Sequence, residues 1–233
     1  MKPIVYSWIL PIKNEAESIS QLFKEIKKVM SGRRFELIAI NDASKDNTLS
    51  ILKSLNSQTP QLKIIHFPTH QGKWAVLLAG FKASKGQVII TSDSDLQDDP
   101  KEVKKMIEKI NSGYDLVSGW RKIRHDAFYK VLISRLGNIL ASYLTGRHFK
   151  DLNSSFKVYR REILDNLPNQ GSLLRFTCVF ANKLGYKVAE VPINHRPRIF
   201  GKSKFGIIKY LRILYDLILI SLLFSGSGRI KKI

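Results

Sequence analysis

Short apolar runs alternate with amphipathic stretches along the first half of the chain. "IVYSWIL" (4–10) reads as a strand, and beyond it Ile19, Leu22, Phe23, Ile26, Val29 and Met30 recur at the spacing of one helical face. Asn14 with Glu17 three residues on has the form of a capping pair, which puts the start of that helix at Asn14. The alternation repeats in "FELIAIN" before "SKDNTLSILKSLNS", "LKIIHF" before "GKWAVLLAGFKAS", and "QVIIT" before a helix that opens at Pro100. Asp99 followed by Pro100 is an N-cap with proline in the first helical position. Strand-then-helix units in series predict an α/β fold, a mainly parallel sheet with helices on both faces.

After "YDLVSGW" the pattern loosens into a basic loop, a helix near "YKVLISRLGNILASYL" and a strand-like "YKVAEVPINHRPR". The last periodic element is "FGIIKYLRILYDLILISLLF", with Lys209, Arg212 and Asp216 on one helical face and an otherwise apolar surface. Its uncharged part, Leu217 to Gly228, is shorter than the about 20 apolar residues needed to span a bilayer. An interfacial helix over 205–224 is therefore expected, with a helix packed in the core as the other reading, followed by a flexible basic tail, 225–233, and preceded by one catalytic unit, 1–204. The first apolar run is short and broken by Pro11, so it reads as a strand and not as a signal peptide.

Composition narrows the choice of partner. The net charge of +20 over 233 residues calls for something anionic: nucleic acid, a phosphorylated small molecule or an acidic membrane surface. The single cysteine, Cys178, sits in an apolar stretch, where it reads as core and permits no internal disulfide. Neither a P-loop nor a G-x-G-x-x-G occurs, so any nucleotide is held without those glycine cradles.

In an open parallel sheet, ligands bind beyond the carboxyl ends of the strands. The polar residues that follow the predicted strands are Asn14 and Glu15, Asn41 and Asp42, His70, and then Asp93, Asp95 and Gln97 of "TSDSDLQDDP". On an extended chain positions i, i+2 and i+4 face one way, so Asp93, Asp95 and Gln97 are expected to present three oxygens to one point. Mg²⁺ or Mn²⁺ takes such hard ligands, with substrate phosphates completing the shell.

The ordered motifs "LPIKNEAESI", "IAINDASKDNT", "HQGKWAVLLAGFKASKG", "TSDSDLQDDP", "SGWR", "DLNSSFKVYRRE" and "VPINHRPRIFGKSKFG" resemble those of the family 2 glycosyltransferases. The likeness is to the branch of dolichyl-phosphate mannose synthase and the bacterial polyprenyl-phosphate glycosyltransferases, from Pro3 to about Phe224. It implies a glycosyltransferase-A fold with Pro11, Asn14, Glu15 and Asp42 around the base and ribose of a nucleotide sugar, either GDP-mannose or a UDP-hexose. Asp93, Asp95 and Gln97 match the metal motif, with Asp93 also on the donor side and Asp95 catalytic. Arg198, Ser203 and Lys204 match the loop over the donor pyrophosphate, with Arg198 counted as catalytic. Arg121 and Arg135 match the residues that hold the acceptor phosphate. Asn41 stands where an aspartate is common, His70 where asparagine is frequent, and Ser155 where glycine is usual.

The resemblance also implies an inverting transfer to a polyprenyl (dolichyl or undecaprenyl) phosphate at the cytoplasmic membrane face, by a peripheral enzyme with room for a membrane-anchoring partner subunit. A phosphate monoester has a second pKa of about 6, so its oxygen is largely ionised at neutral pH and needs no strong base. Asp151 is accordingly expected as an auxiliary base or as the residue that positions an arginine. Two other readings remain: a same-fold enzyme acting on a saccharide hydroxyl, which needs a general base, and a basic nucleic-acid-binding module, which leaves "SDSDLQ" without a role. Nucleic acid is therefore not expected as a partner.

Overall fold

The computed structural model describes residues 5–122, 138, 139, 142, 148–166 and 176–200. The strands are β1 Tyr6–Ile12, β2 Phe35–Asp42, β3 Leu62–Phe67, β4 Val88–Thr91, β5 Leu116–Arg121, β6 Lys157–Arg160 and β7 Val188–Ile193. The helices are α1 Ile19–Val29, α2 Thr48–Ser57, α3 Lys73–Ala83, α4 Val103–Asn111 (after a 3₁₀ turn at Pro100–Glu102), α5 Arg161–Leu164 and α6 Thr177–Lys183. The described residues of the expected helix around 129–144 are too few to define it. The interfacial helix over 205–224 and the tail lie outside the described residues.

The strands form one sheet of order β3-β2-β1-β4-β6-β5-β7. Only β6 runs against its neighbours β4 and β5; the other pairings are parallel. The expected mainly parallel α/β sheet is present. β6 is four residues long, too short for a period of two to stand out in sequence. Because it is reversed, its first residue, Lys157, lies at the edge where β4 ends at Thr91. The segment that leads into β6 therefore arrives beside the carboxyl ends of the parallel strands.

Alternation along each strand feeds two cores. Trp8, Leu10, Leu37, Ala39 and Ile90 pack with α1, α2 and α4 on one face. Ile9, Ile38, Ile40 and Ile89 pack with α3 and α6 on the other, where Cys178 is buried as the sequence suggested. Burial on both faces explains why these strands read as continuous apolar runs. Trp8, Ile9 and Leu10 have no exposed surface, and full burial of each such side chain contributes about 1.5–3 kcal/mol. Gly80 lets α3 lie against the sheet: a Cβ there would overlap the Ile9 side chain and come 3.0 Å from Ile40 Cδ1.

One local expectation is corrected. Helix α1 begins at Ile19 with Ser18 in the N-cap position, and Asn14 is not its cap. Asn14 has φ 50°, and its Oδ1 accepts the N–H of Lys45 at 2.7 Å. The asparagine tolerates the left-handed conformation and ties two strand-end loops together.

Candidate functional site

Among the described residues the non-glycine positions with positive φ are Asn14 (50°), Ala43 (52°) and Leu96 (63°), each in the loop that follows β1, β2 or β4. A left-handed L-residue costs about 1–2 kcal/mol, and all three lie where the resemblance put the donor. Each turn folds the chain back at the sheet edge, which gathers polar groups from separate loops.

On the β1 and β2 side, Ser44 is a joint. Its hydroxyl donates to Asn41 Oδ1 at 2.5 Å and accepts the Asn14 N–H at 2.9 Å. Asn41 is fully buried and its Nδ2 meets His66 Nδ1 at 2.9 Å, an amide contact that an aspartate in its place would not donate. Glu15 is fixed through Ser18 Oγ, 2.9 Å from Oε2, and through its own N–H to Thr48 Oγ1 at 2.8 Å. The Pro11 carbonyl accepts from Ser94 Oγ at 2.9 Å, which joins β1 to the aspartate turn. Asp42 accepts the N–H of Gln71 at 2.7 Å and of Gly72 at 3.2 Å, and His70 Nδ1 lies 2.7 Å from its Oδ2. Asp42 thus fixes the loop that leads into α3, whose first residue is Lys73.

The aspartate turn differs from the extended ladder expected of it. Strand β4 stops at Thr91 and the chain reverses at Leu96, so the turn and not strand alternation decides where the oxygens point. Asp95 Oδ2 and Gln97 Oε1 converge on Arg198 Nη2 at 2.5 and 2.9 Å. Asp93 faces elsewhere: one oxygen pairs with Lys73 Nζ and the other accepts from Ser155 Oγ at 2.8 Å. Arg198 is delivered by a stretch laid against the turn. Arg196 donates its N–H to the Gln97 carbonyl at 2.8 Å and grips Glu25 at 2.9 Å and Asp99 at 2.8 Å. Asp99 caps the 3₁₀ turn, accepting from the Lys101 N–H at 3.0 Å, as its place before Pro100 indicated.

Burial, with Asp93 close by, pushes the Asp95 carboxyl up to about 6, against the pull of Arg198. Asp98 is buried and is pushed up to about 7 by burial and by Asp93 and Asp95. The sequence reading did not include Asp98 among the candidates; its position between Gln97 and the capping Asp99 gave no signal of it. Lys73 was also unmarked, one of 39 basic residues.

The donor set suits a hard divalent cation: two carboxylates and an amide oxygen, in a turn where burial and neighbouring carboxylates together raise Asp95 and Asp98. In this structure Lys73 and Arg198 hold those oxygens. No three His, Cys, Asp or Glu side chains converge as a metal cluster among the described residues.

On the other side of the site, Arg121 ends β5 and meets Asp151 in a forked pair, Nε to Oδ2 at 2.7 Å and Nη2 to Oδ1 at 2.9 Å. The Arg121 N–H adds a contact of 3.3 Å to the same carboxylate. Both side chains are largely buried, 13% and 3% exposed, so the pair is fixed in place. Arg135, Ser203 and Lys204 lie outside the described residues.

Residues 7–167 match Glycosyl transferase family 2. The chain is 30% identical over 216 residues to an undecaprenyl-phosphate 4-deoxy-4-formamido-L-arabinose transferase of Edwardsiella ictaluri, and 29% identical over 215 residues to the protein of the same name from Klebsiella pneumoniae. In both comparisons 91% of this chain is covered, and the chain spans 66% of the length of these curated relatives. In fold it is similar to glucosyl-3-phosphoglycerate synthase of Mycobacterium tuberculosis in complex with Mn²⁺, UDP and phosphoglyceric acid, with TM-score 0.75 and 19% identity over 97% of this chain and 80% of that one. A complex of that enzyme with Mn²⁺, UDP and glucosyl-3-phosphoglycerate gives TM-score 0.75 at 20% identity, covering 97% of this chain and 81% of the other. With the glycosyltransferase-A-like sheet and the family match over most of its length, the chain belongs to glycosyl transferase family 2.

Proposed function

We propose that this enzyme transfers a sugar from a nucleotide-sugar donor to a polyprenyl phosphate, with inversion at the anomeric carbon. One observation carries the reading: the forked Arg121–Asp151 pair stands across from the Asp93, Asp95 and Gln97 turn, linked to it through the short segment that bears both Asp151 and Ser155. A fixed cation on one side suits an anionic acceptor. A carboxylate turn on the other suits the metal complex of a diphosphate.

Both Asp151 oxygens are engaged by Arg121, which makes Asp151 a positioning residue and a poor base. An ionised phosphate acceptor needs no base, whereas a sugar hydroxyl does. The undecaprenyl-phosphate transferases to which the chain is similar support the same acceptor class. Asp93, Asp95 and Gln97 would hold Mg²⁺ or Mn²⁺, and the Mn²⁺ complexes of fold relatives support that assignment. The cation would supply charge neutralisation for the departing diphosphate. Arg198 then has two roles, on Asp95 and Gln97 without donor and on the diphosphate with it, as fixed positive charge aimed at the leaving group lowers the barrier most.

Pro11, Asn14, Glu15 and Asp42 form the base and ribose side, and Ser203 and Lys204 act with Arg198 on the donor pyrophosphate. Arg135 joins Arg121 on the acceptor phosphate. The sequence of 205–224 supports peripheral docking on the cytoplasmic membrane face beside a lipid acceptor, with or without an anchoring subunit. The division into catalytic unit 1–204, interfacial helix and basic tail 225–233 belongs to the same proposal. Among the described residues no helix is long and apolar enough to cross a membrane.

The test is transfer of label from a panel of nucleotide sugars into organic-extractable product, with and without polyprenyl phosphate, in Mn²⁺, against Asp95→Asn. Lipid-dependent label absent from the variant supports the reading and names the donor. Label confined to water-soluble product would move the acceptor to a saccharide.

A further inference from the structure

Four residues stand in one cross-strand row on adjacent strands. Thr91 of β4 is in register with Lys157 of β6, Lys157 with Ser118 of β5, and Ser118 with Glu190 of β7. Residues paired in register share a face of the sheet, so the row lies on the face of α3 and α6 together with Ile9, which pairs with Thr91. A polar row in a sheet whose neighbouring positions are Ile, Leu, Val and Tyr needs a reason.

The segment 150–155 supplies one. Glu190 accepts the N–H of Lys150 at 3.1 Å (Oε1) and 2.9 Å (Oε2), and that of Asp151 at 2.8 Å. Lys157 Nζ donates to the Leu152 carbonyl at 3.4 Å and to the Ser154 carbonyl. Thr91 Oγ1 donates to the Ser155 carbonyl at 2.9 Å. The attachments from Glu190, Lys157 and Thr91 follow one another along the segment in the same order as along the row. Ser118 lies between Glu190 and Lys157 in the row, fully buried, and its hydroxyl has no partner among the described residues.

The segment's ends reach the two halves of the site. Asp151 holds Arg121; Ser155 holds Asp93 at 2.8 Å and Asp98 at 3.3 Å. We propose that the row Thr91, Lys157, Ser118 and Glu190 is a positioning device that draws residues 150–155 taut across the strand ends, so that Arg121 and Asp93 keep a fixed separation. The row touches neither substrate. Its acceptor at one end takes N–H groups and its donors at the other give to carbonyls, so the segment is held by its backbone whatever its side chains are. Burial lowers the ammonium pKa of Lys157, which is the electrostatic cost of placing a lysine under this segment.

The inference rests on the acceptor reading only for which substrate feels the change. Glu190→Gln is isosteric but loses one of the two acceptor oxygens, Lys157→Met removes the central donors, and Thr91→Val removes the donor at the Asp93 end. The readouts are solvent exchange of the Arg121 Nε–H by NMR of arginine-labelled protein, assigned with Arg121→Lys, and KM for polyprenyl phosphate and for nucleotide sugar measured separately. In Glu190→Gln and Lys157→Met the exchange should quicken about tenfold and acceptor KM should rise about tenfold, as for loss of a supporting hydrogen bond, with donor KM within about twofold. In Thr91→Val the KM change should fall on the donor. Folded variants whose Arg121 exchange matches the wild type would overturn the device. Faster exchange with acceptor KM unmoved would uphold the device and overturn Arg121 as the acceptor ligand.

Discussion

Arg198 places Nη2 2.5 Å from Asp95 Oδ2, so a carboxylate assigned to a metal is already bound to an internal cation. Lys73 does the same for Asp93. Any divalent ion must displace these side chains, and a donor diphosphate gives them somewhere to go. Lys73→Met should therefore tighten Mn²⁺ binding to nucleotide-free protein about tenfold, because a competing charge is removed. Electron paramagnetic resonance of free Mn²⁺ would measure it. Unchanged affinity would mean that Lys73 does not compete.

Arg198→Met should behave differently in turnover. If the guanidinium transfers to the leaving diphosphate, kcat falls about 10²-fold or more, the scale of losing one fixed donor to developing charge. A steady-state comparison with Lys73→Met separates a group that stabilises the transition state from one that only vacates the site.

Asp98 gives the metal-free protein a pH signature. Its folded pKa of about 7 lies above the ordinary aspartate value of 3.8, so the folded state holds more protons across that window. Stability is then greatest below pH 4 on this account and declines as pH rises toward 7. Asp98→Asn should unfold at a higher temperature than wild type at pH 8, with the difference shrinking toward pH 5. Thermal scans in chelator would show this, and a variant less stable at pH 8 would refute it.

Asp151→Ala should strand Arg121 in a largely buried position. Breaking a buried pair from one side costs about 3–5 kcal/mol, visible as a lower urea midpoint. Asp151→Asn keeps one acceptor oxygen and should cost less. Restoration of the midpoint in Asp151→Ala with Arg121→Met would show that the uncompensated charge, and not lost packing, is responsible.

Much of this arrangement was legible in the sequence. The alternation that fills two cores disclosed β1 to β4 and their helices, because each strand is buried on both faces. Asp99 and Pro100 announced their turn correctly, whereas Asn14 and Glu17 imitated a cap: local pattern does not reveal that Asn14 bonds to Lys45 across the sheet edge. Asp93, Asp95 and Gln97 stand out in the sequence as a motif, but the left-handed Leu96 that turns them does not, since nothing in a leucine signals positive φ. Ser155 stood out as a departure from glycine. Its contact with Asp93 could not be inferred, for the two residues are 62 positions apart. Nothing in the sequence marks Glu190 or Lys157, which only the register of β4 to β7 brings into one row.

The reversed β6 has a consequence for how such an enzyme can diversify. Strands β1 to β4 and their loops, with Arg198 beyond β7, present the groups assigned to the nucleotide, whereas β5 and the segment before β6 present those assigned to the acceptor. The antiparallel strand is the seam between them, and contacts made to the segment's backbone from β4, β6 and β7 hold it across that seam. New side chains between Asp151 and Ser155 can therefore alter what is glycosylated while those two residues go on holding Arg121 and Asp93.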